Sequence, residues 1–286
     1  MKRNYLITGG AGFIGTNLVI QLSKKGHNLV SLDNYSTGKK ENEQKGCKYF
    51  DADISKVEDF SIFNFKPDLI FHLAALPRIQ PSFSNPSDTF NSNVKGTMNI
   101  LEWARKNNTP VVYAGSSSTH GGVYKNPYTF TKWQGEELCK LYLKIFGLAV
   151  SICRFYNVYG PNQLIEGEYC TVIGIFERQK QNNEELTITG DGNQRRDFTH
   201  VNDIVDGLIK CGKGLMNENN NIIAGEIFEL GRGVNYSINE VAEMFGCRKK
   251  YIPSKQGEVR DTLCRDKKAY ELLNWRPKYN LDDYIK

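Results

Sequence analysis

The stretch TGGAGFIG, residues 8–15, decides the fold that we predict for this chain. It follows the strand-like segment NYLITG and leads into GFIGTNLVIQLSKKG, whose apolar residues recur at helical spacing up to Gly26. In a strand–turn–helix, Gly9, Gly12 and Gly15 allow a tight turn, close approach of the backbone to a pyrophosphate, and packing of the helix on the strand. An ordinary glycine-rich turn shows the same pattern, so other segments must decide between the two.

Strand-like and helix-like segments alternate through the first half of the chain. Strands are predicted in NYLITG, HNLVSLD, CKYFDAD, DLIFHLAAL, PVVYAGSS and LAVSICRF. Apolar residues at helical spacing lie between them, notably over residues 88–107 and 128–146. Nearly continuous apolar strands joined by helices predict an α/β fold, a Rossmann-type doubly wound parallel sheet covered on both faces.

The rhythm changes after NVYGP, residues 157–161, where loops lengthen and helices shorten. We therefore predict a nucleotide-binding Rossmann domain over residues 1–158 and a smaller α/β substrate-binding region over residues 159–286. Segments from about 197–231 are expected to return to the first domain.

An acidic residue ends the second predicted strand. Asp33 lies eighteen residues after Gly15, where its carboxylate would bind the ribose hydroxyls of an adenosine. Asp53, at the end of the third predicted strand, is placed at the same edge of the sheet. Asp33 would repel a 2′-phosphate, which favours NAD over NADP as the cofactor, although Lys39 and Lys40 nearby leave NADP open.

Three tyrosines stand four residues before a lysine: Tyr35 before Lys39, Tyr128 before Lys132, and Tyr251 before Lys255. The first pair falls in a glycine-containing loop, and Pro253 excludes a regular helix around the third. Pro127 suits the first position of a helix, so Tyr128 and Lys132 would share one helical face. The fifth strand ends in YAGSSS and opens on the same crevice, so Ser116 is predicted to meet them there.

These three residues are suited to taking a proton from a hydroxyl while hydride leaves its carbon. Free tyrosine has a pKa of about 10 and is a poor base at neutral pH. A lysine ammonium about 6 Å away, at an effective dielectric of about 20, would favour the phenolate by roughly 3 kcal/mol. We expect the positive nicotinamide ring of NAD⁺ to lower the pKa of Tyr128 further.

The composition narrows the class of protein. Of 286 residues 24% are charged, the net charge is +5, and the lysines are scattered, which argues against nucleic-acid binding. Seven cysteines without a Cys-x-x-Cys pair predict free thiols in a reducing compartment, and no residues have metal-ligand spacing. No apolar run approaches the ~18 residues of a membrane span. The start, MKRNYLITGG, does not resemble a signal sequence, so we expect a cytoplasmic protein.

A series of segments comes in the order of a known family: TGGAGFIG, LDNYSTG, HLAAL, NVKGTMNILEWAR, a serine-rich strand end, Tyr-x-x-x-Lys, RFYNVYGP and GDGNQRRDFTHVNDI. Over nearly its whole length the chain resembles the extended short-chain dehydrogenase/reductases, specifically nucleotide-sugar epimerases similar to UDP-glucose 4-epimerase. The resemblance implies an isomerase that retains NAD and acts on a nucleotide diphosphate sugar, with a UDP-sugar favoured.

The resemblance also implies roles for individual residues. Catalysis would fall to Ser116, Tyr128 and Lys132, with Ser117 and Ser118 as alternatives for the serine. NAD would be contacted by Gly9, Gly12, Phe13, Ile14, Gly15, Asp33, Asn34, Ser36, Thr37, Gly38, Asp53, Ile54, Leu73, Ala74, Ala75, Asn93, Tyr128, Lys132 and Tyr156. The nucleotide-sugar would be contacted by Arg78, Ser116, Ser117, Asn157, Thr171, Val172, Arg196 and Arg260, with Lys255 as the alternative to Arg260 at the diphosphate.

Ser117 and Ser118 stand where the related 4,6-dehydratases have acidic residues, which favours epimerisation over elimination of water. We therefore predict NAD-dependent epimerisation of UDP-glucose/UDP-galactose, or of a UDP-N-acetylhexosamine, at C4 through a transient 4-keto sugar with Tyr128 as base. An epimerase or decarboxylase for another nucleotide-sugar remains an alternative. A non-catalytic NAD-binding regulatory module on the same fold is another, since a fold does not determine a function.

Two further features follow from the resemblance. A homodimer would pair the helix over residues 88–106 with the helix that carries Tyr128, and Trp103, Leu141 and Phe146 would be contacts unless they belong to the core. Only twelve positions separate Ser116 from Tyr128, and His120 replaces a usual tyrosine. Both departures indicate an open sugar pocket with room for an N-acetylated sugar or an unusual one.

Overall fold

The computed structural model describes residues 1–57, 60–217 and 223–286. Its strands in this part of the chain are β1 (Asn4–Thr8), β2 (Asn28–Asp33), β3 (Cys47–Asp51), β4 (Leu69–His72), β5 (Val111–Ser116), β6 (Val150–Phe155), β7 (Asn157–Tyr159), β8 (Leu186–Thr189), β9 (Arg195–His200), β10 (Ile227–Leu230), β11 (Asn235–Ser237) and β12 (Lys249–Ile252). The central sheet has seven strands in the order β10-β6-β5-β4-β1-β2-β3, and every neighbouring pair is parallel. The predicted α/β fold with a doubly wound parallel sheet is confirmed.

The helices of the described residues are α1 (Phe13–Lys24), α2 (Ile79–Ser84), α3 (Pro86–Phe90), α4 (Gly96–Lys106), α5 (Pro127–Phe146), α6 (Val172–Gln181), α7 (Val201–Leu215), α8 (Ile238–Phe245), α9 (Lys268–Leu273) and α10 (Leu281–Ile285). The strand order reverses between β1 and β4, and a crevice opens there at the carboxyl ends of the strands. In this part of the chain, no helix combines the length and the apolar character that crossing a bilayer requires.

Helix α5 begins and ends where its sequence predicts. Pro127 occupies the first turn, and the side chain of Asn126 accepts a hydrogen bond from the backbone N–H of Thr129 at 2.8 Å. Such a cap stabilises a helix by about 1 kcal/mol. Gly147 ends the helix in the left-handed conformation, with φ +69°. These signals hold the register that brings Tyr128 to the first turn.

Two predicted elements differ in detail. The helix expected over residues 88–107 is divided into α3, a π-helical turn at Asn91–Lys95, and α4. The turn directs Asn93 inward, where its side chain bonds to the backbone of Leu76 and to Thr131. Strand β3 ends at Asp51, so Asp53 lies in the turn after the strand.

Apolar side chains pack on both faces of the central sheet. On one face α1 and α7 contribute Leu18, Val205 and Leu208, and on the other α4 contributes Ile100 and Leu101, all at most 1% exposed. Burying a side chain of this size stabilises the fold by about 1.5–3 kcal/mol. The sheet therefore has apolar packing on both sides, as parallel sheets require.

The chain after β6 builds two small sheets as well as one edge of the large sheet. The small sheets have the orders β11-β9-β7 and β12-β8, and they pack with α6 and α8 around Phe176, Phe198 and Phe245. Strand β10 pairs with β6, and α7 packs on α1 and β6. Residues 218–222 of the predicted returning segment lie outside the described residues, and the domain boundary at 158/159 stays a prediction.

Candidate active site

A glycine turn joins β1 to α1 and leaves no room for side chains. Gly9 has φ +76°, and a Cβ there would lie 2.9 Å from the Cα and the backbone nitrogen of Ala74. A Cβ on Gly15 would overlap the carbonyl oxygen of Gly9. Helix α1 begins at Phe13, directly after Gly12, and no side chain caps its N-terminus. The turn therefore presents bare backbone N–H groups to which a pyrophosphate can bind.

The carboxylate of Asp33 lies beside this turn, at the end of β2. Its oxygens accept hydrogen bonds from the backbone N–H groups of Ala11 and Tyr35, both at 2.9 Å, which fix its orientation. Burial raises the pKa of Asp33, and these hydrogen bonds oppose the rise. A fixed carboxylate beside a turn that excludes side chains fits the adenosine ribose and the pyrophosphate of NAD.

A cavity of about 580 Å³ runs from the glycine turn to β8 and β12. The predicted NAD contacts that line it are Gly9, Gly12, Phe13, Ile14, Gly15, Asp33, Asn34, Ser36, Thr37, Asp53, Ile54, Leu73, Ala74, Ala75, Tyr128, Lys132 and Tyr156. The predicted sugar contacts that line it are Arg78, Ser116, Ser117, Asn157, Thr171, Val172 and Arg196. Residues from the two predicted regions of the chain thus share this cavity.

Three predicted contacts lie away from the cavity wall. Gly38 packs behind Asp33, and a Cβ there would lie 3.1 Å from the Oδ1 atom of Asp33. Asn93 is buried and braces the loop after β4, because its amide bonds to both backbone groups of Leu76. Arg260 is exposed and forms a two-pronged ion pair with Asp191, with both N–O distances at 2.8 Å. Of the two candidates for the diphosphate, Lys255 is the one on the wall.

The hydroxyl groups of Tyr128 and Ser116 meet in the middle of this cavity. Tyr128 donates a hydrogen bond to the Oγ atom of Ser116 at 3.3 Å, although the two residues come from α5 and the end of β5. The Oγ atoms of Ser116 and Ser118 lie 2.9 Å apart, and the backbone N–H of Ser118 also donates to Ser116 at 3.3 Å. Among the three candidate serines, Ser116 is therefore the one that touches the tyrosine, and Ser118 orients it.

Lys132 is buried on the same face of α5. Its ammonium donates a hydrogen bond to the carbonyl oxygen of Ala114 and lies 4.4 Å from the centroid of the Tyr113 ring. Burial lowers the pKa of Lys132 to about 8, while Glu136 one turn further along α5 opposes the shift. The lysine is thus bound to strand β5, next to the strand end that carries Ser116.

Burial and neighbouring groups act on the pKa of Tyr128. Burial raises the pKa of Tyr128, and the groups that oppose this rise are the Ser116 hydroxyl and the Arg78 guanidinium. The guanidinium of Arg78 is thus a cation that lowers the pKa of this phenol. The ammonium of Lys132 bonds to the carbonyl oxygen of Ala114, and its predicted effect on Tyr128 stays a prediction.

The other two tyrosine–lysine pairs have unrelated contacts. Tyr35 has φ +55° and donates a hydrogen bond to Glu43 at 2.6 Å. Tyr251 is 54% exposed and donates to Asn239 at 3.0 Å. Neither tyrosine lines the cavity, whereas Tyr128 does.

A chain of charged side chains behind Ser116 has no signal in the linear sequence. Glu136, which is fully buried, pairs with Arg154 at 2.6 Å, Arg154 pairs with Glu229 at 3.0 Å, and Glu229 accepts from His120 at 2.8 Å. A Cβ on Gly115 would lie 2.8 Å from Glu136 and 2.9 Å from Arg154. These residues come from α5, β6, β10 and the turn after β5, so no local spacing connects them. The network braces the strand end that holds Ser116.

The far side of the cavity carries the residues expected at the nucleotide. Arg196, on β9, lies 3.8 Å from Glu258 and donates to the carbonyl oxygen of Arg195 at 2.9 Å. Asn157 donates to Thr262 and to the backbone of Asp197, both at 3.3 Å. Both side chains are held in place by the protein before any ligand binds.

Known proteins resemble this chain over nearly its full length. The model of the NAD dependent epimerase/dehydratase family matches residues 5–231. A UDP-glucose 4-epimerase of Mycolicibacterium smegmatis is 31% identical over 98% of this chain and 95% of its own. A UDP-N-acetyl-alpha-D-glucosaminuronate decarboxylase of Bacillus cytotoxicus is 34% identical over 85% of this chain and 79% of its own.

Two solved structures share the fold. UDP-glucose 4-epimerase of Thermotoga maritima, solved with UDP-glucose, has a TM-score of 0.90 at 30% identity and covers 99% of this chain and 96% of its own. UDP-glucuronic acid 4-epimerase of Bacillus cereus, solved with UDP-glucuronic acid and NAD, has a TM-score of 0.87 at 28% identity over the same shares. The similarity therefore extends through both predicted regions of the chain.

Proposed function

The chain belongs to the NAD dependent epimerase/dehydratase family, and from that membership we propose that it inverts C4 of a UDP-hexose through a transient 4-keto sugar. It is an NAD-dependent isomerase of the extended short-chain dehydrogenase/reductase type. The observation that carries the proposal is the contact of 3.3 Å between Tyr128 and Ser116 inside the cavity that Asp33 and the glycine turn also line.

Each residue of this contact has a task in the proposed reaction. The glycine turn and Asp33 would hold NAD, which would supply the acceptor and the donor of the C4 hydride. Tyr128 takes the proton of the C4 hydroxyl and gives it back when the ketone is reduced. Ser116 donates its hydrogen to the same oxygen as negative charge develops there, and Ser118 holds Ser116 in position. When the 4-keto sugar turns in the cavity and is reduced on its other face, the product has the opposite configuration at C4.

The serines after Ser116 support epimerisation over loss of water. Elimination needs an acid that protonates the leaving hydroxyl and a base that takes the neighbouring proton. Ser116, Ser117 and Ser118 line this part of the wall and offer hydroxyl groups only. The serine run therefore lacks the acidic pair that elimination needs.

The nucleotide would bind at the far end of the cavity. Arg196 and Lys255 are the cations that we assign to the diphosphate, because both line the wall there and Arg196 is held by its own backbone contact. Asn157, Thr171 and Val172 line the wall between them and Tyr128. Glucose or an N-acetylhexosamine as the sugar stays a prediction from the sequence.

The proposal also includes a homodimer. Leu141 is 48% and Phe146 is 50% exposed on α5, whereas Trp103 of α4 is 7% exposed and belongs to the core. Pairing of α4 and α5 with the same helices of a second copy would cover Leu141 and Phe146. Light scattering on the purified protein is expected to give twice the mass of one chain, and the L141E/F146E variant to give one chain.

The test of the proposed reaction uses the purified protein without added NAD. UDP-glucose, UDP-N-acetylglucosamine and UDP-glucuronate are incubated separately, and the anomeric protons of the products are followed by NMR. We expect the C4 epimer of at least one substrate with wild type and with Tyr251→Phe, and no epimer with Tyr128→Phe. Formation of a 4-keto-6-deoxy sugar or of a UDP-pentose, or no turnover of any of the three, would contradict the proposal.

A further inference from the structure

Arg78 lies on the sugar side of the cavity, between β4 and α2. Its Nε atom donates a hydrogen bond to the carbonyl oxygen of Tyr169 at 2.9 Å, which fixes the plane of the guanidinium. Tyr128 lies close by, since its backbone N–H donates to Ser82 of α2 at 3.1 Å. The charge of Arg78 acts on the phenol of Tyr128, and both side chains line the same wall. Arg78 is therefore a fixed cation on the wall that also carries Tyr128.

This cation has no counter-charge among the residues that the structure describes. The weak acids that interact with it are the Tyr128 phenol and the Cys170 thiol, and burial raises the pKa of each from an ordinary value that is already above neutrality. The other cavity arginine, Arg196, has Glu258 at 3.8 Å, and the buried Arg154 has Glu136 at 2.6 Å. Arg78 is partly shielded from water on the cavity wall and has no ion-pair partner there, so it is suited to a partner that arrives with the ligand.

The geometry of the free donors indicates which chemical group that partner carries. Of the five N–H groups of a guanidinium, the Nε–H of Arg78 is bound to Tyr169, and no acceptor in the described ranges takes the four on its terminal nitrogens. Two parallel N–H groups match the two oxygens of a carboxylate, whereas a phenolate offers only one oxygen. A neutral hydroxymethyl group would leave the charge unmatched.

The position of Arg78 indicates where on the sugar the carboxylate lies. In the proposed reaction Tyr128 meets the oxygen on C4, so a cation beside Tyr128 is closest to the substituents of the neighbouring ring carbons. The diphosphate leaves the ring at C1, on the opposite side, where Arg196 and Lys255 provide their own cations. On C5 a hexuronate carries a carboxylate in place of the hydroxymethyl group of a neutral hexose.

We propose that Arg78 is a specificity-determining residue and that the preferred substrate is a UDP-hexuronate, whose carboxylate it binds in two-pronged fashion. The inference rests on the proposed function, because it places the C4 oxygen at Tyr128. It replaces the neutral or N-acetylated sugar that the sequence favours with an acidic one.

The test compares kcat/KM for UDP-glucuronate, UDP-glucose and UDP-N-acetylglucosamine in wild type, Arg78→Met, Arg78→Lys and Arg196→Met. We expect wild type to prefer UDP-glucuronate. Arg78→Met should lower kcat/KM for that substrate on the order of 100-fold, mainly through KM, because one partner of a buried charge pair is lost. Because Arg78 also acts on the phenol of Tyr128, the two neutral sugars should lose a smaller and equal factor, and the selective effect is a fall in the ratio of kcat/KM for UDP-glucuronate to kcat/KM for the neutral sugars. Arg78→Lys should give a ratio between those of wild type and Arg78→Met. Arg196→Met serves as the matched control and should weaken all three substrates by the same factor.

Two results would overturn the inference while the proposed epimerase stands. One is a wild type that prefers a neutral sugar, with no selective effect of Arg78→Met. The other is an equal loss for all three substrates in Arg78→Met with a shifted basic limb of the pH–rate profile, because Arg78 would then serve the Tyr128 phenolate.

Other results would support the acidic substrate while they contradict the proposed epimerisation. Release of CO₂ and a UDP-pentose from UDP-glucuronate, with the same dependence on Arg78, would support the acidic substrate and contradict epimerisation. If no sugar turns over, calorimetric titration decides: UDP-glucuronate should bind more tightly than UDP-glucose to wild type but not to Arg78→Met, and equal affinities for wild type would overturn the inference.

Discussion

The ammonium of Lys132 is bound to the carbonyl oxygen of Ala114, on the strand that ends at Ser116, and not to Tyr128. The lysine therefore helps to hold strand β5 in place, and its buried ammonium lies next to the strand end that carries Ser116. The hydroxyl of Ser116 and the guanidinium of Arg78 oppose the raised pKa of Tyr128.

Replacing Lys132 by methionine should make the protein more stable at neutral pH and much less active. Burial lowers the pKa of Lys132 from 10.5 to about 8. Below pH 8 the native state therefore bears a cost of roughly 3 kcal/mol for the buried charge, and the cost disappears as the pH rises towards the unfolded pKa. Guanidinium unfolding should show K132M as the more stable protein at pH 7 and a smaller difference at pH 10. A less stable K132M at pH 7 would mean that the bond to Ala114 outweighs the cost of burial.

Substitution of the three serines should separate the serine that contacts the substrate from those that support it. Ser116→Ala removes the group that touches Tyr128, and we expect kcat to fall about 100-fold. Ser118→Ala leaves Ser116 in place but free to rotate, so a loss of about tenfold or less is expected. A loss in S117A as large as that in S116A would contradict the assignment of Ser116 as the one serine that contacts the substrate.

Asp33→Asn should weaken the preference for NAD over NADP. The amide keeps the shape of the side chain, but it removes the charge that binds the ribose hydroxyls and repels a 2′-phosphate. We expect the ratio of NAD to NADP affinity to fall by about 10- to 100-fold. The dinucleotide that heating releases from each purified protein identifies the bound cofactor. Titration of the folded, cofactor-free proteins with NAD and with NADP measures the ratio of affinities. An unchanged ratio would place the ribose elsewhere.

Arg154→Met should destabilise the fold by about 3 kcal/mol or more, because it leaves the fully buried Glu136 without its partner. Arg105→Met is the matched control. Arg105 pairs with Glu102 at the same distance of 2.6 Å, but on the surface, and its loss should change stability far less. Comparable losses in the two variants would show that burial does not set the importance of the Arg154 network.

The sequence predicts those parts of the fold and site that depend on local signals. The glycine turn, Asp33 and the start of α5 at Pro127 each have a backbone or hydrogen-bonding reason that is visible in a few consecutive residues. The meeting of Ser116 and Tyr128 follows from them, because parallel strands and the helices between them end at a common edge.

Other features depend on contacts between distant segments. Asn93 matches a family motif, yet the π-helical turn directs it to the loop at Leu76. Arg260 is a predicted contact of the diphosphate, but its ion pair with Asp191 holds it at the surface. The partner of Lys132 is a backbone oxygen, which no side-chain pattern identifies.

The fate of the hydrogen on C4 tests the proposed reaction most directly. A UDP-hexose that the enzyme converts is labelled with deuterium at C4, incubated with wild type and Tyr128→Phe in ordinary water, and examined by NMR and mass spectrometry. We predict that the epimer keeps its deuterium at C4, and that Tyr128→Phe forms the epimer at least about 1000-fold more slowly. Replacement of the deuterium by hydrogen from water, or an epimer formed equally well by Tyr128→Phe, would contradict oxidation and reduction at C4 with Tyr128 as the base.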